Sequence, residues 1–339
     1  MRGKHRKNLL LLCEKIIPSG GLLRFERLAK YLKKYGYAIY LCPLGTAQER
    51  PFYIREMIYC SRKEAESRSW FATMIPGAGF SHDVIEAFGE FRDRRYGLRI
   101  QHILSDKTRK ERFVHVNRVF QPDKVVFNNV WEEKEREAIS IGEQYTLLGA
   151  VDTNAFYPLP YRSLKKADDT ITIGTQASKN PWYLFDLMKT LPENYRAKIF
   201  GPCEGIMQMK RFEKYLDLVE SGRLECVGVL DTEGLRRFYR EVDIVLSLES
   251  VAGWSNVSAE ALACGLPLIC TVHGTSSFAL HGVTAVVLSE LRLESLEKEV
   301  LSLVEDQQRV MKISRNGREK ILEFGWEKYV SGFLDILEN

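Results

Sequence analysis

The sequence predicts an α/β chain of two tandem domains, each a parallel sheet covered on both faces by helices. Three observations predict it. Short apolar runs alternate with helical patterns along nearly the whole chain. The alternation breaks once, at 151–169, where Pro158 and Pro160 lead into a polar, charged stretch that reads as a connector. And 339 residues, 45% hydrophobic and 28% charged, supply two ordinary cores.

In chain order, LLLLC (9–13) is the first strand and Gly20-Gly21 the turn after it. The segment LLRFERLAKYLKKYG is a helix: Leu23, Leu28, Leu32 and Tyr35 recur near helical spacing, and Gly36 stops it. YAIYLC (37–42) is the second strand, and MIYC (57–60), FATMI (71–75), LRIQHIL (98–104) and KVVFNN (124–129) continue the series. Beyond the connector, strands are expected at 171–174, 196–201, 223–228, 243–248, 266–271 and 284–288. Helices fall at 181–191, 233–242, 258–265 and through 291–337. The expected domains are 1–160, 161–320 and a terminal helix at 321–339 that returns to the first domain. A ligand belongs in a central cleft, at the carboxyl ends of the strands.

Composition excludes several classes. It is not that of a disordered chain, a fibrous repeat or a disulfide-held miniprotein. No apolar run approaches the ~18 residues that span a bilayer. The start MRGKHRK-LLLLC has the look of a secretion signal, but its apolar stretch runs into Glu14-Lys15 and reads as a strand. The seven cysteines are scattered, with no Cys-x-x-Cys and no His cluster beside them, so free buried thiols in a reducing cytosol are expected. Residues 1–150 carry 27 Lys and Arg against 18 Asp and Glu, whereas residues 151–339 carry 22 against 27. A basic first half suits an anionic acceptor or surface, or is simply a soluble basic domain.

The most informative segment is DIVLSLESVAGWSNVSAEALACGLPLICTVHGT (243–275). It reads as strand, loop, short helix, buried strand. Gly253, Trp254, Ser255 and Asn256 deliver the chain onto a helix start, where free N–H groups and the helix dipole can receive a phosphate or a sugar hydroxyl. Glu260 falls about one turn in, and its carboxylate can accept hydrogen bonds from a vicinal diol such as a ribose. A capping box does not account for Glu260, because Val257 stands where Ser, Thr, Asp or Asn would be needed.

This segment resembles the donor-binding signature of glycosyltransferase family 4, the retaining enzymes of the GT-B fold. Their pattern is Glu-Gly-Phe-Gly, then a second Glu before Ala-Met-Ala-Cys-Gly-x-Pro-Val. Here Gly253-Trp254-Ser255-Asn256 takes the loop, Val257 follows, and Glu260-Ala261-Leu262-Ala263-Cys264-Gly265-Leu266-Pro267 is in register. The resemblance assigns Glu260 to the nucleotide ribose. The first Glu of the pattern falls on Ala252, and Glu249, three residues upstream, is the substitute expected beside the donor sugar. The stretch LGAVDTNAFYP (148–158) and the tail FGWEKYVSGFLDIL (324–337) extend the similarity over most of the chain. It implies a GT-B fold of two tandem Rossmann-like domains facing a central cleft, with the last helix crossing back to the first.

The same resemblance places a phosphate-binding lysine at Lys179, with its usual arginine partner falling on Gly174. Asn180 and Pro181 read as the cap and first residue of the next helix. A cation at a helix start has the wrong sign for the dipole, and an anionic ligand would resolve that conflict. The family often places a His near His102, close to the donor sugar; His115 and His273 are competitors. Gly20 and Gly21, at a strand-to-helix junction, let backbone approach a phosphate or acceptor. Arg92, Arg94, Arg95 and Arg99 are either a solvated face or an acceptor-side cluster for an anionic acceptor or headgroup. Aromatic and basic residues interleave too sparsely for a nucleic-acid motif. No Asp-x-Asp triplet occurs, which fits metal independence.

The expected function is therefore a retaining, metal-independent glycosyltransferase. It would move a sugar from a nucleotide sugar, UDP- or GDP-linked, to a saccharide or lipid-linked acceptor in polysaccharide, glycolipid or glycoconjugate synthesis. No cofactor is expected. The expected location is the cytoplasm, with peripheral contact at the inner face of the membrane. Two other readings fit the same residues: a GT-B nucleotide-sugar epimerase and a non-catalytic nucleotide-sugar-binding protein.

Overall fold

The computed structural model describes residues 7–16, 20–45, 54–77, 80–104, 110–130, 133–139, 141–159 and 166–339. The chain forms two compact units, 1–149 with 326–339, and 150–325.

The first unit runs β1 (Lys7–Cys13), α1 (Gly20–Leu32), β2 (Tyr37–Pro43), β3 (Ile58–Tyr59), α2 (Arg62–Ser67), β4 (Ala72–Pro76), α3 (His82–Ala87), β5 (Leu98–Ile103), α4 (Lys110–Phe120), β6 (Lys124–Phe127), α5 (Glu133–Glu137) and β7 (Glu143–Thr146). The second runs β8 (Ile171–Gln176), α6 (Trp182–Thr190), β9 (Tyr195–Phe200), α7 (Glu204–Met207), α8 (Leu216–Glu220), β10 (Leu224–Cys226), α9 (Thr232–Glu241), β11 (Ile244–Ser247), α10 (Asn256–Ala263), β12 (Leu268–Cys270), β13 (Val286–Val287), α11 (Leu293–Glu305) and α12 (Gln307–Ile321). The last helix, α13 (Trp326–Glu338), belongs to the first unit.

Strands pair in the order β3-β2-β1-β4-β5-β6-β7 in the first unit and β10-β9-β8-β11-β12-β13 in the second, and every pairing is parallel. Both sheets are Rossmann-like. The winding direction reverses between β1 and β4 in one and between β8 and β11 in the other, and such reversals open a crevice at the strand carboxyl ends. The central strands are apolar throughout because helices cover both faces: Leu9 to Leu12 are fully buried, as are Ile173, Val245 and Leu246.

The first unit ends earlier than residue 160. Val151 already bridges to Gly325, and Phe156 stacks edge-on against Tyr239, both within the second unit. Pro160 lies outside the described residues. α13 is held to the first unit by Tyr31 stacking on Trp326 at 5.5 Å and by Lys124 Nζ donating to the Ile336 carbonyl at 2.7 Å.

Two features differ from expectation. The edge strand β7, EQYT, carries no apolar run; a parallel edge needs only its backbone to pair with β6. And Cys203 and Cys226 form a disulfide, where free thiols were expected. Cys203 follows β9 and Cys226 ends the neighbouring β10, so strand pairing brings them together across 23 residues of sequence. The other five thiols are free and buried. Burial pushes Cys13, Cys42 and Cys270 up to about 12 and Cys60 to about 11, so all four stay protonated.

Candidate functional site

The carboxyl ends of β8 and β11, the two strands flanking the reversal in the second sheet, carry a buried polar cluster. After β8 the chain makes a tight turn, Lys179 N–H donating to the Gln176 carbonyl at 2.9 Å. Asn180 takes the left-handed conformation, φ 50°, which Asn tolerates better than most residues. Its side-chain amide donates to the Leu248 carbonyl at 2.5 Å, fastening the turn to the end of β11. Helix α6 is capped by Pro181 and starts at Trp182, so the expected Asn180 cap with Pro181 as first helical residue is corrected.

Lys179 Nζ lies 2.8 Å from Glu249 Oε1. The contact is an ion pair off the axis a hydrogen bond needs. The Lys179 side chain is 22% exposed and the Glu249 side chain 1%. Glu249 Oε2 accepts from Ser247 Oγ at 2.9 Å. Ser247 Oγ is 3.1 Å from Ser255 Oγ, and Ser255 caps α10 by accepting from Ser258 N–H at 3.2 Å. The loop carrying Glu249 is clamped to the one after β12. Thr271 Oγ1 donates to the Glu249 carbonyl, and Ser255 N–H donates to the Gly274 carbonyl at 2.8 Å. Gly274 has φ 73°, and a Cβ there would fall 2.8 Å from both Ala252 Cβ and Ser255 N. Only glycine lets the two loops approach this closely.

Within α10, Glu260 is 3% exposed and its Oε2 accepts from the Tyr239 hydroxyl at 3.0 Å. Asn256 opens the helix and is half-buried; Gly253 is buried in the preceding loop. Trp254 packs on Phe278 at 4.8 Å and Phe324 at 5.4 Å, 7% exposed, and Val257 is 3% exposed. Both side chains pack in the interior, while the backbone of this segment leads into the start of α10. The expectation for Gly174 is corrected. It lies inside β8, and a Cβ there would meet Phe238 Cζ and Val242 Cγ1 at 2.8 Å, so glycine is required by helix α9 packing on the sheet. His273 is half-buried beside Gly274.

The first unit places its sequence-predicted residues differently. His102 is 1% exposed inside β5, edge-on to Phe25 at 4.9 Å and tilted against Phe333 at 5.8 Å. Burial, and then the Arg24 guanidinium, push its imidazole down to about 3. It is a neutral core histidine whose Nε2 has no hydrogen-bond partner, and the catalytic expectation for it is corrected. Arg92, Arg94, Arg95 and Arg99 lie before or at the start of β5, at the amino end of the sheet, away from the carboxyl ends where ligands dock. Arg99 grips Asp123 at 2.7 and 3.2 Å; Arg95 grips Asp93 at 2.9 Å and the Glu66 carbonyl. Arg92 is exposed and donates to the Gly89 carbonyl at 2.8 Å. The acceptor-side role of Arg92, Arg95 and Arg99 is therefore corrected. Gly20 and Gly21 open α1, but residues 17–19 before them lie outside the described residues. His115 sits in α4, partly exposed beside Glu86.

Sequence reasoning missed Gly274, Thr271, Ser247 and Ser258, and read Asn180 only as a helix cap. The visible signal was the density of Ser and Thr between 247 and 275, with Gly274 in their midst.

Residues 164–320 match the family model described as Glycosyl transferases group 1. An uncharacterized glycosyltransferase of Methanocaldococcus jannaschii is 24% identical over 156 residues, 46% of this chain and 43% of that protein. The D-inositol 3-phosphate glycosyltransferase of Xylanimonas cellulosilytica is 26% identical over 165 residues, 48% of this chain and 39% of that protein. The chain thus matches less than half the length of these curated relatives. Among solved structures, Anabaena HepE in complex with UDP and glucose is similar with TM-score 0.76 at 14% identity, over 98% of this chain and 99% of that one. Sucrose-phosphate synthase from Thermosynechococcus elongatus gives TM-score 0.76 at 16% identity, over 98% of both.

The fold is that of the GT-B glycosyltransferases. The Lys179–Glu249 pair lies within residues 164–320, the stretch that matches the Glycosyl transferases group 1 model.

Proposed function

We propose that the chain is a retaining glycosyltransferase that moves a sugar from a UDP- or GDP-sugar to an acceptor hydroxyl. The observation that carries this reading is the position of Lys179 and Glu249, paired at 2.8 Å at the strand reversal, beside the capped start of α10. Lys179 neutralises the donor diphosphate, and Glu260 receives the ribose hydroxyls. Glu249 occupies the place of the first family glutamate and orients the donor sugar. The leaving phosphate takes the acceptor proton on the same face, so the protein contributes chiefly position and charge. Lys179 supplies the neutralising cation, and the reaction proceeds without a divalent metal. HepE, solved with UDP and glucose, supports a UDP-sugar donor.

A saccharide or lipid-linked acceptor, within polysaccharide or glycolipid synthesis, completes the proposal, and work at the inner face of a membrane is compatible with it. Among the described residues, no helix is long and apolar enough to cross a membrane.

The test is a thermal-shift panel with UDP, GDP, dTDP, ADP and CMP, followed by transfer assays with the matching sugars. A nucleotide at ~100 times its dissociation constant adds about 2.7 kcal/mol, or ~5–10 °C for a unit of this size. One stabilising nucleotide, then a product with the donor's anomeric configuration by NMR, supports the proposal. An isomerised nucleotide sugar identifies an epimerase. Binding with no nucleotide released across acceptors identifies a binding protein.

A further inference from the structure

The first unit contains a group of side chains that the proposed transfer reaction does not use. His82 and Glu86 are four residues apart on α3, so they rise from the same face. His115 joins them from α4. His115 Nε2 lies 3.6 Å from Glu86 Oε1, and His82 Nε2 lies 4.0 Å from the same oxygen. One ligand atom from each of the three residues falls within 4.8 Å of the others. The two imidazoles stack at 5.7 Å with 30° between their planes. His115 Nε2 is shielded from solvent and has no hydrogen-bond partner.

Among the described residues, no Lys or Arg pairs with the Glu86 carboxylate; its charged-group contacts are the two histidines. The two imidazoles and the carboxylate together offer three donor atoms to one ion. A divalent ion between the three would satisfy all of them at once. Ligand bonds of about 2.0–2.2 Å need the donor atoms roughly 3–3.5 Å apart, a contraction of about 1 Å or less from most of these separations. The His82 side chain is 76% exposed and free to turn by that amount, and water can fill the remaining coordination positions. Two imidazole nitrogens and one carboxylate oxygen select borderline ions such as Zn²⁺, Ni²⁺ or Co²⁺ over Mg²⁺ or Ca²⁺.

We propose that His82, Glu86 and His115 form a binding site for a divalent transition-metal ion, which ties α3 to α4. The site is independent of the glycosyltransferase reading.

The experiment uses the full chain without an affinity tag, stripped with chelator and titrated with Zn²⁺ by calorimetry near neutral pH. Co²⁺ absorption reports the ligand type. One ion per chain at micromolar affinity is expected, without the thiolate charge-transfer band that cysteine ligation would give. His82→Ala and Glu86→Gln replace exposed side chains and leave the core intact; His115→Ala is the third variant. Each should weaken binding at least ~10-fold, since even losing a group behind a ligand costs 10–100-fold. The proposal is overturned if all three variants bind as the parent does. It is equally overturned if the thiolate band appears, or if the parent takes up no ion at millimolar free metal, which would leave only two histidines sharing a carboxylate.

Discussion

Among the described residues, replacing Lys179 with methionine leaves the Glu249 carboxylate with one donor, Ser247 Oγ at 2.9 Å, in a place where its side chain is 1% exposed. Removing one partner of a buried ion pair costs about 3–5 kcal/mol, because the other charge stays buried. Lys179 is itself 22% exposed, so water replaces part of the lost ammonium, and a loss of about 2–3 kcal/mol is expected. For a unit of this size that lowers the melting temperature by ~4–12 °C. Adding Glu249→Gln removes the stranded charge, so the double variant should regain much of the loss, with a coupling energy near ~1–2 kcal/mol. Chemical denaturation of the parent, both single variants and the double variant measures the cycle. Calorimetry with UDP and with uridine runs beside it, and Lys179→Met should weaken UDP while leaving uridine unchanged. A Lys179→Met protein as stable as the parent, or a double variant no better than that single one, would refute the pairing argument. Equal losses for UDP and uridine would refute the phosphate role.

Glu260→Ala should weaken nucleotide binding by about 1–3 kcal/mol and also destabilise, because it removes a buried acceptor of the Tyr239 hydroxyl; Tyr239→Phe should leave most of the nucleotide affinity, and calorimetry that finds both variants equally weak would reject the ribose assignment. Gly274→Ala meets left-handed strain of about 1–2 kcal/mol together with overlap at Ser255 N, so denaturation should show a loss beyond the strain alone. His102, with its folded pKa held near 3 against an ordinary 6.5, binds fewer protons folded than unfolded. Its contribution is therefore present above about pH 6.5 and lost as pH falls toward 3, at up to ~1.4 kcal/mol per unit; parent minus His102→Leu stability should show that slope, and parallel pH curves would sink the idea. Thiol titration of the unfolded chain should find five reactive groups before reduction and seven after; seven before reduction would remove the Cys203–Cys226 disulfide.

The strands were legible because buried parallel strands must be apolar on both faces, and LLLLC or DIVLSL can be little else. β7 was not, because an edge strand demands little of its side chains. Glu260 stands out in the sequence only through its register with a known pattern. Its neighbour Tyr239 lies 21 residues upstream and meets it only through packing of α9 against α10. The Lys179–Glu249 pair spans two loops at adjacent strand ends, and no local periodicity links them. Gly174 and Trp254 stand in motif positions, and nothing in the sequence signals that Phe238 packs against the one and Phe278 against the other. The same holds for His102: its sequence neighbours gave no sign that Phe25 and Phe333 enclose it.

The return of α13 to the first unit sets an order of assembly during synthesis. Strands β1 to β7 are made before the second unit, yet Trp326 and Ile336, which contact Tyr31 and Lys124, are made after all of it. The second unit has all of its residues by Gly325 and can finish folding first. Until α13 arrives, Lys124 lacks the carbonyl acceptor that α13 provides, and the face that takes Trp326 stays uncovered. A nascent chain stalled before α13 would hold a finished second unit and an open first one, the species a chaperone or protease would meet.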